Sequence, residues 1–253
     1  IWNPATDAVV EESLKLENDL QIHQLKGQFY ANDFYINGLY TDKNSRDFQF
    51  NVSYSGSDGV NSLGVVCAKF DNKGTRKYVT LNSTGKINDL NIKDFVVSGD
   101  KTWALMDHMF VVSKRRPLAQ TNMKIINDNT YSNDGIEVGL IDNATGKLEW
   151  LHSTKIGNPS TVNDNGDLIS FMYTVTNEGV ALIYNQHKSI YESKLPILQN
   201  YTKTGKLVST TPLPNSLPAK YSLDNSTFVK VENNKYIVRC KIGNSAKYGY
   251  LTL

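Results

Sequence analysis

Three copies of one short pattern constrain this chain more than any other feature. Thr84-Gly85-Lys86-Ile87, Thr145-Gly146-Lys147-Leu148 and Thr204-Gly205-Lys206-Leu207 share the form Thr-Gly-Lys-aliphatic, and their glycines lie 61 and 59 residues apart. Each copy follows a strand-like segment carrying Asn or Asp (Leu81-Asn82, Ile141-Asp142, Asn200-Tyr201) and leads into another. The pattern therefore predicts a hairpin turn recurring at the same place in successive antiparallel units of about 60 residues. A β-propeller is the natural host for such units, because radial packing leaves only short edges open. The competing all-β architecture is a β-sandwich whose turns look alike.

Local signals agree with an all-β chain. Asp47 to Tyr54 alternates apolar and polar residues over its whole length and reads as the clearest strand. Further β-branched and aromatic runs are expected as strands at 64–70, 78–81, 95–97, 103–106, 109–113, 136–141, 148–151, 168–175, 180–184, 227–232, 236–242 and 248–251. Asp71-Asn72-Lys73-Gly74, Asn165-Gly166, Asn177-Glu178-Gly179 and Asn233-Asn234 punctuate them, since Asn and Gly tolerate the positive φ of tight turns. One short helix is expected at the start, with Asn3 as cap, Pro4 at the first helical position and Asp7, Glu11 and Glu12 at the positive end of its dipole. The organisation read from this is an N-terminal segment over 1–59 packed on the same body, and a propeller-like repeat region over 60–253.

Composition excludes several classes. With 40% hydrophobic and 21% charged residues the chain carries enough apolar material for a core and too little charge for disorder. Its longest apolar runs, such as Gly179 to Tyr184, fall far short of the roughly 20 residues of a membrane-spanning helix. The sequence pI near 8.3 comes without a clustered cationic stripe, which argues against nucleic acid. Charge is nevertheless polarised: residues 1–50 hold four Lys/Arg against eight Asp/Glu, and residues 201–253 hold eight against two. Such polarity suits orientation against a partner or an anionic surface, and equally a solvated face of uneven charge. Cys67 and Cys240 sit in apolar strand-like runs, and either a disulfide or two buried thiols fits them. A start at Ile1 with no initiator Met and no basic-then-apolar leader predicts a mature or excised piece.

Gly146-Lys147-Leu148-Glu149-Trp150, Asn165-Gly166-Asp167-Leu168-Ile169 and Gly179 to Asn185 together resemble the propeller-type repeats of exported proteins of Bacteroidota, in which a Gly-Lys turn leads into a strand ending in Trp and a later strand ends in Tyr-Asn. The ending, Tyr236 to Val238 and Lys247 to Leu253, is similar to their final blade. The resemblance covers residues 60–253 and implies a propeller fold and an extracytoplasmic address, whether periplasmic, outer-membrane associated or secreted. It implies no activity. Gln186-His187 replaces the acid that usually follows Tyr-Asn.

Familiar catalytic patterns are missing. The Gly-Lys pairs lack the earlier glycine and the following Ser or Thr of a phosphate loop. Ser98 to Trp103 is similar to the Asp-box hairpin of sialidase-type propellers without its x-Gly step, which suits a hairpin rather than catalysis. His23, His108, His152 and His187 are dispersed, and Asp107-His108, adjacent on a strand, point to opposite faces. Gly56-Ser57-Asp58-Gly59 is no nucleophile elbow. Asp164, Asn165 and Asp167 are the best calcium candidates, in a loop that departs from EF-hand order and suits an ordinary hairpin as well. Five Asn-x-Ser/Thr sequons, at Asn51, Asn82, Asn143, Asn200 and Asn225, are no more than chance supplies in so Asn-rich a chain. The aromatic residues Tyr30, Tyr35, Tyr40, Trp103 and Trp150 are the candidate binding residues, against core packing as the alternative. The expectation is a non-catalytic exported module that binds a protein partner in an envelope or secretion assembly, without cofactor, nucleic acid or transmembrane segment. A carbohydrate-binding or glycan-processing propeller is the second reading.

Overall fold

The computed structural model describes residues 2–3, 8–9, 14, 16, 19–42, 61–117, 125–157, 160–162, 169–176, 178–186, 195–213, 221–242 and 245–253. The alternating stretch at 47–54 and the calcium candidates Asp164, Asn165 and Asp167 lie outside them. β1 (Trp2–Asn3) pairs antiparallel with β2 (Ala8–Val9), Trp2 opposite Val9. This ladder corrects the expected N-terminal helix. The apolar residues Val9, Val10, Leu14 and Leu16 are too irregularly spaced for a helical stripe, and β-branched Val9 suits an extended backbone.

Four sheets follow in chain order. β3 (Leu20–Tyr30), β4 (Asp33–Asp42), β5 (Ser62–Phe70) and β6 (Arg76–Ile87) form an antiparallel meander. β7 (Leu90–Ser98), β8 (Lys101–Pro117), β9 (Ile125–Asp142) and β10 (Leu148–Lys155) form the second, and β11 (Ser160–Val162) adds to it by pairing with β9. β12 (Phe171–Val175), β13 (Gly179–Gln186), β14 (Leu195–Thr202) and β15 (Leu207–Pro212) form the third. β16 (Ser222–Glu232), β17 (Lys235–Ile242) and β18 (Ser245–Thr252) form a fourth with three strands. The protein is all-β, built of successive antiparallel meanders.

Two of the three Thr-Gly-Lys copies are the turns they were expected to be. Gly146, with φ of 71°, closes β9 into β10 and donates to the Asp142 carbonyl at 2.7 Å; Gly205, with φ of 78°, closes β14 into β15 and donates to the Thr202 carbonyl at 2.8 Å. The first copy is different. Ser62 pairs with Ile87 and Gly64 with Ser83, so Thr84-Gly85-Lys86 forms a bulge inside β6. The corresponding turn of the first meander is Asp71-Asn72-Lys73-Gly74, where Gly74 has φ of 80° and donates to the Asp71 carbonyl at 2.9 Å.

The chain divides into two compact units, one of Ile1–Phe48, Val60–Met106 and Glu137–His152, the other of Gln49–Gly59, Asp107–Ile136 and Ser153–Leu253. In the first, Leu39, Val65 and Cys67 of the first meander pack with Leu90, Phe95, Ala104, Met106 and Ile141 of the second. In the other, Met172, Ile183 and Leu213 pack with Leu223, Val238 and Cys240 of the fourth meander. Both cysteines are buried free thiols.

Side-chain amides join the meanders within each unit. The Gln24 Oε1 and Gln28 Oε1 oxygens accept from the backbone amides of Ile92 and Val97 on β7, and the Tyr30 hydroxyl accepts from Gly99 N. Lys26 Nζ donates to the Lys93 carbonyl between them. Asn82 accepts from Leu148 N and donates to the Gly146 carbonyl, both at 2.8 Å. Asn185 does the same to one residue, accepting from Leu223 N at 2.9 Å and donating to its carbonyl at 2.7 Å. Each amide thus satisfies backbone groups that a strand edge leaves bare.

The glycine turns and the amide contacts lead to three expected losses of stability, each read by urea titration. Gly85→Ala loses about 1 kcal/mol, the cost of an L-residue at positive φ, because nothing stands near its new Cβ. Gly146→Ala loses clearly more in the same urea titration, since its Cβ would run into the Tyr78 ring. Asn185→Ala leaves Leu223 N and O buried without their partner and lowers the unfolding free energy by about 1–3 kcal/mol for each group. An unchanged denaturation midpoint would show that water replaces the amide.

Candidate binding site

The first three meanders each have four strands in order, and the fourth has three among the described residues. In the first two, the first and second strands are joined by tight connections, with a positive φ at Ala31 between β3 and β4 and at Gly99 between β7 and β8. The β16–β17 connection is of this kind, two residues with Asn234 at φ of 60°. Packing agrees. β7, the first strand of its meander, packs on β3 and β4, and β16 packs on β12, β13 and β14. Gln24 reaches β7 near its start as Asn185 reaches β16. β16, β17 and β18 thus occupy the first three positions, and the fourth, beside β18, is empty among the described residues.

The β18 edge is open in a chemical sense. An edge strand turns the N–H and C=O groups of alternate residues away from its neighbour, where a further strand can take them. A Cβ built on Gly249, in the middle of β18, meets nothing within 4 Å. On the outward face Val229, Ile237 and Tyr250 stand in register across the three strands, and Arg239 stands opposite Tyr248. Tyr248 and Tyr250 on β18 are 69% and 68% exposed, apolar surface at the open edge, and Val229 on β16, across β17 from them, is 53% exposed. The other face of β17, carrying Tyr236, Val238 and Cys240, is buried.

Cations surround this surface. Lys235 Nζ lies 4.6 Å from the centre of the Tyr250 ring, and Lys241 and Lys247 are exposed on β17 and β18. Arg239 is held by Asp224 at 2.9 Å, and Asp224 also accepts from the Ser226 amide and hydroxyl. Basic residues therefore outnumber acids here, and the charge excess of residues 201–253 is partly gathered at one sheet.

The residues singled out from sequence are dispersed. Tyr35, Tyr40 and Trp103 are buried, at 4%, 6% and 2% exposure, and present no ring face to solvent. Trp150 is half-buried and meets Trp103 edge to face at 5.8 Å between ring centres. Tyr30 is exposed, with its hydroxyl engaged by Gly99 N. The adjacent Asp107 and His108 engage separate partners: Asp107 accepts from Ser170 Oγ at 3.0 Å, and His108 Nδ1 lies 3.4 Å from Asp134 Oδ1. Burial pushes the Cys67 thiol up to about 12, against an amide contact from Asn82, which makes it inert rather than nucleophilic. Among the described residues no three His, Cys, Asp or Glu side chains gather as a metal site, and no helix is long and apolar enough to cross a membrane. Sequence reasoning missed Tyr248, Tyr250 and Arg239; their signal was the basic, tyrosine-rich C-terminal stretch.

No family model matches the sequence, and no curated protein matches it. Among solved structures it is similar to an exo-β-1,3-galactanase from Clostridium thermocellum at 10% identity and a TM-score of 0.27. The alignment covers 100% of this chain and 61% of that one, so the chain spans less than two thirds of the enzyme's length. A likeness this faint bears on neither activity nor substrate.

His23 yields a pH prediction. It is the extra residue of a bulge in β3, between Ile22 and Gln24, and its Nε2 is buried with no hydrogen-bond partner among the described residues. Burial lowers its pKa below the ordinary 6.5. The unfolded chain then takes up a proton first as pH falls through 6.5, so this group subtracts stability below that value and none above it. Urea midpoints of the parent are expected to fall more than those of His23→Leu between neutral and mildly acidic pH; parallel decreases would refute the assignment.

Proposed function

We propose that this protein is a non-catalytic binding module that accepts an extended polypeptide strand along β18, completing the fourth meander. The observation that supports the reading is the fourth position, which no described residue fills, beside a strand that carries the exposed Tyr248 and Tyr250. Backbone pairing supplies affinity in such strand addition, and alternate side chains supply selectivity. The cations at this sheet favour a strand that alternates apolar and acidic residues, with its apolar positions beside Tyr248 and Tyr250. The meanders are propeller-like blades in this reading. An extracytoplasmic setting, within an envelope or secretion assembly, belongs to the same proposal and rests on the sequence resemblance.

The test uses fluorescent peptides that alternate valine with glutamate or valine with lysine. The glutamate peptide is expected to bind with an affinity that falls as salt rises, and the lysine peptide to bind far more weakly. Of the adjacent residues Tyr248 and Gly249, one directs its amide toward β17 and the other toward the open side. Proline at the outward one abolishes peptide binding and leaves the β17 ladder intact. Failure of both peptides to bind, or binding that survives both Tyr248→Pro and Gly249→Pro, would overturn the proposal.

A further inference from the structure

A groove of about 520 Å³ opens where the third and fourth meanders meet within their compact unit. Its volume lies in the range of roughly 300–1,000 Å³ typical of small-molecule sites. Val180, Ala181, Val208 and Leu253 contribute an apolar lining. Thr174, Thr176, Thr202, Asn200 and Asn234 are polar residues of the lining, and Glu178 is its acidic residue.

Several of these polar groups are fixed before any ligand arrives. Thr174 Oγ1 and the Tyr236 hydroxyl lie 2.7 Å apart, Thr202 Oγ1 lies 2.9 Å from Thr204 Oγ1, and Asn200 Nδ2 donates to Ser209 Oγ at 3.1 Å. Glu178 is held by its backbone, its amide donating to Thr176 Oγ1 and its carbonyl accepting from Lys203 N. Gly179 allows two strands to approach at the wall, since a Cβ there would collide with the Tyr201 carbonyl. A site whose donors and acceptors are already oriented spends little entropy on binding.

The chemistry of the lining narrows the ligand. Among the described residues no Lys or Arg lines the groove, although the surrounding sequence is rich in both, and Glu178 is the one charged residue of the lining. Phosphate, sulfate and carboxylate ligands meet no cation there and one repelling carboxylate. A ligand with apolar C–H faces and a rim of neutral hydroxyls matches both the apolar lining and the hydroxyl and amide rim, and a carboxylate is a strong acceptor for hydroxyl donors. We infer that the groove is a binding site for a neutral saccharide, of a size near a disaccharide, with Glu178 accepting from sugar hydroxyls. This site is separate from strand acceptance at β18 and stands whether or not that reading holds.

Saturation-transfer NMR on the full chain, with cellobiose, lactose and maltose as neutral probes and glucose 6-phosphate as the charged one, decides the matter. At least one neutral disaccharide is expected to receive saturation at millimolar concentration, and glucose 6-phosphate none. Val208→Arg, at a position 62% exposed and therefore tolerant in folding, is expected to abolish transfer by entering the groove. Glu178→Gln is expected to weaken binding about tenfold, as loss of one charge-assisted hydrogen bond does. Absence of transfer to all three disaccharides, equal transfer in the Val208→Arg variant, or binding of glucose 6-phosphate as strong as that of the neutral sugars would each overturn the inference.

Discussion

The structure depends on the side-chain amides that stand in for strands where one meander ends and the next begins. A meander leaves bare backbone groups along its outer strands, and a body of several meanders must satisfy them without fusing into one continuous sheet. Gln24 and Gln28 on β3 do this for β7, and Asn185 on β13 does it for Leu223 on β16. Asn82 on β6 holds the turn between β9 and β10 through Gly146 and Leu148. The apolar clusters of the two units lie beneath these bonds and rely on them to fix which faces meet.

The same device explains what could be read from sequence and what could not. Strands with an apolar core face were legible: β17 was expected at 236–242 and lies at Lys235–Ile242, its alternate residues Tyr236, Val238 and Cys240 buried. β3 gave no such signal, because Gln24, Lys26, Gln28 and Tyr30 spend their side chains on the β7 edge and so look like a polar stretch. β15 is exposed along nearly its whole length and offers no alternation to detect. The Thr84 copy misled because the bulge in β6 and the turns at Gly146 and Gly205 ask for the same thing, a glycine at positive φ. The candidate site was legible only as an excess of basic residues and tyrosines near the end. Its defining property, a position that no described residue fills with a strand, emerges from counting partners, which no local pattern encodes.

Edges are treated differently at the two places where they matter most. β7 is guarded by a row of neighbouring side chains that match its amides and carbonyls. β18 carries Lys247, a common guard against edge pairing, next to two exposed tyrosines and a glycine with open space above it. In the proposed reading, a single lysine deters indiscriminate pairing while leaving a strand of complementary charge free to approach, and selectivity resides in charge and in the aromatic border rather than in shape.

The amide bonds also bear on how the chain can be made. Asn82, Asn143 and Asn200 each begin an Asn-x-Ser/Thr sequon, and in each the Nδ2 atom that would carry a glycan is a donor inside the fold: to Gly146 O, to Gly99 O and to Ser209 Oγ. A sugar attached there during synthesis would replace one of the two Nδ2 hydrogens and set a bulky group where the partner strand has to arrive. Production in a host that glycosylates such sites would therefore divert part of the material from folding, and substituting Ser or Thr at the third sequon position would restore it with the asparagines untouched.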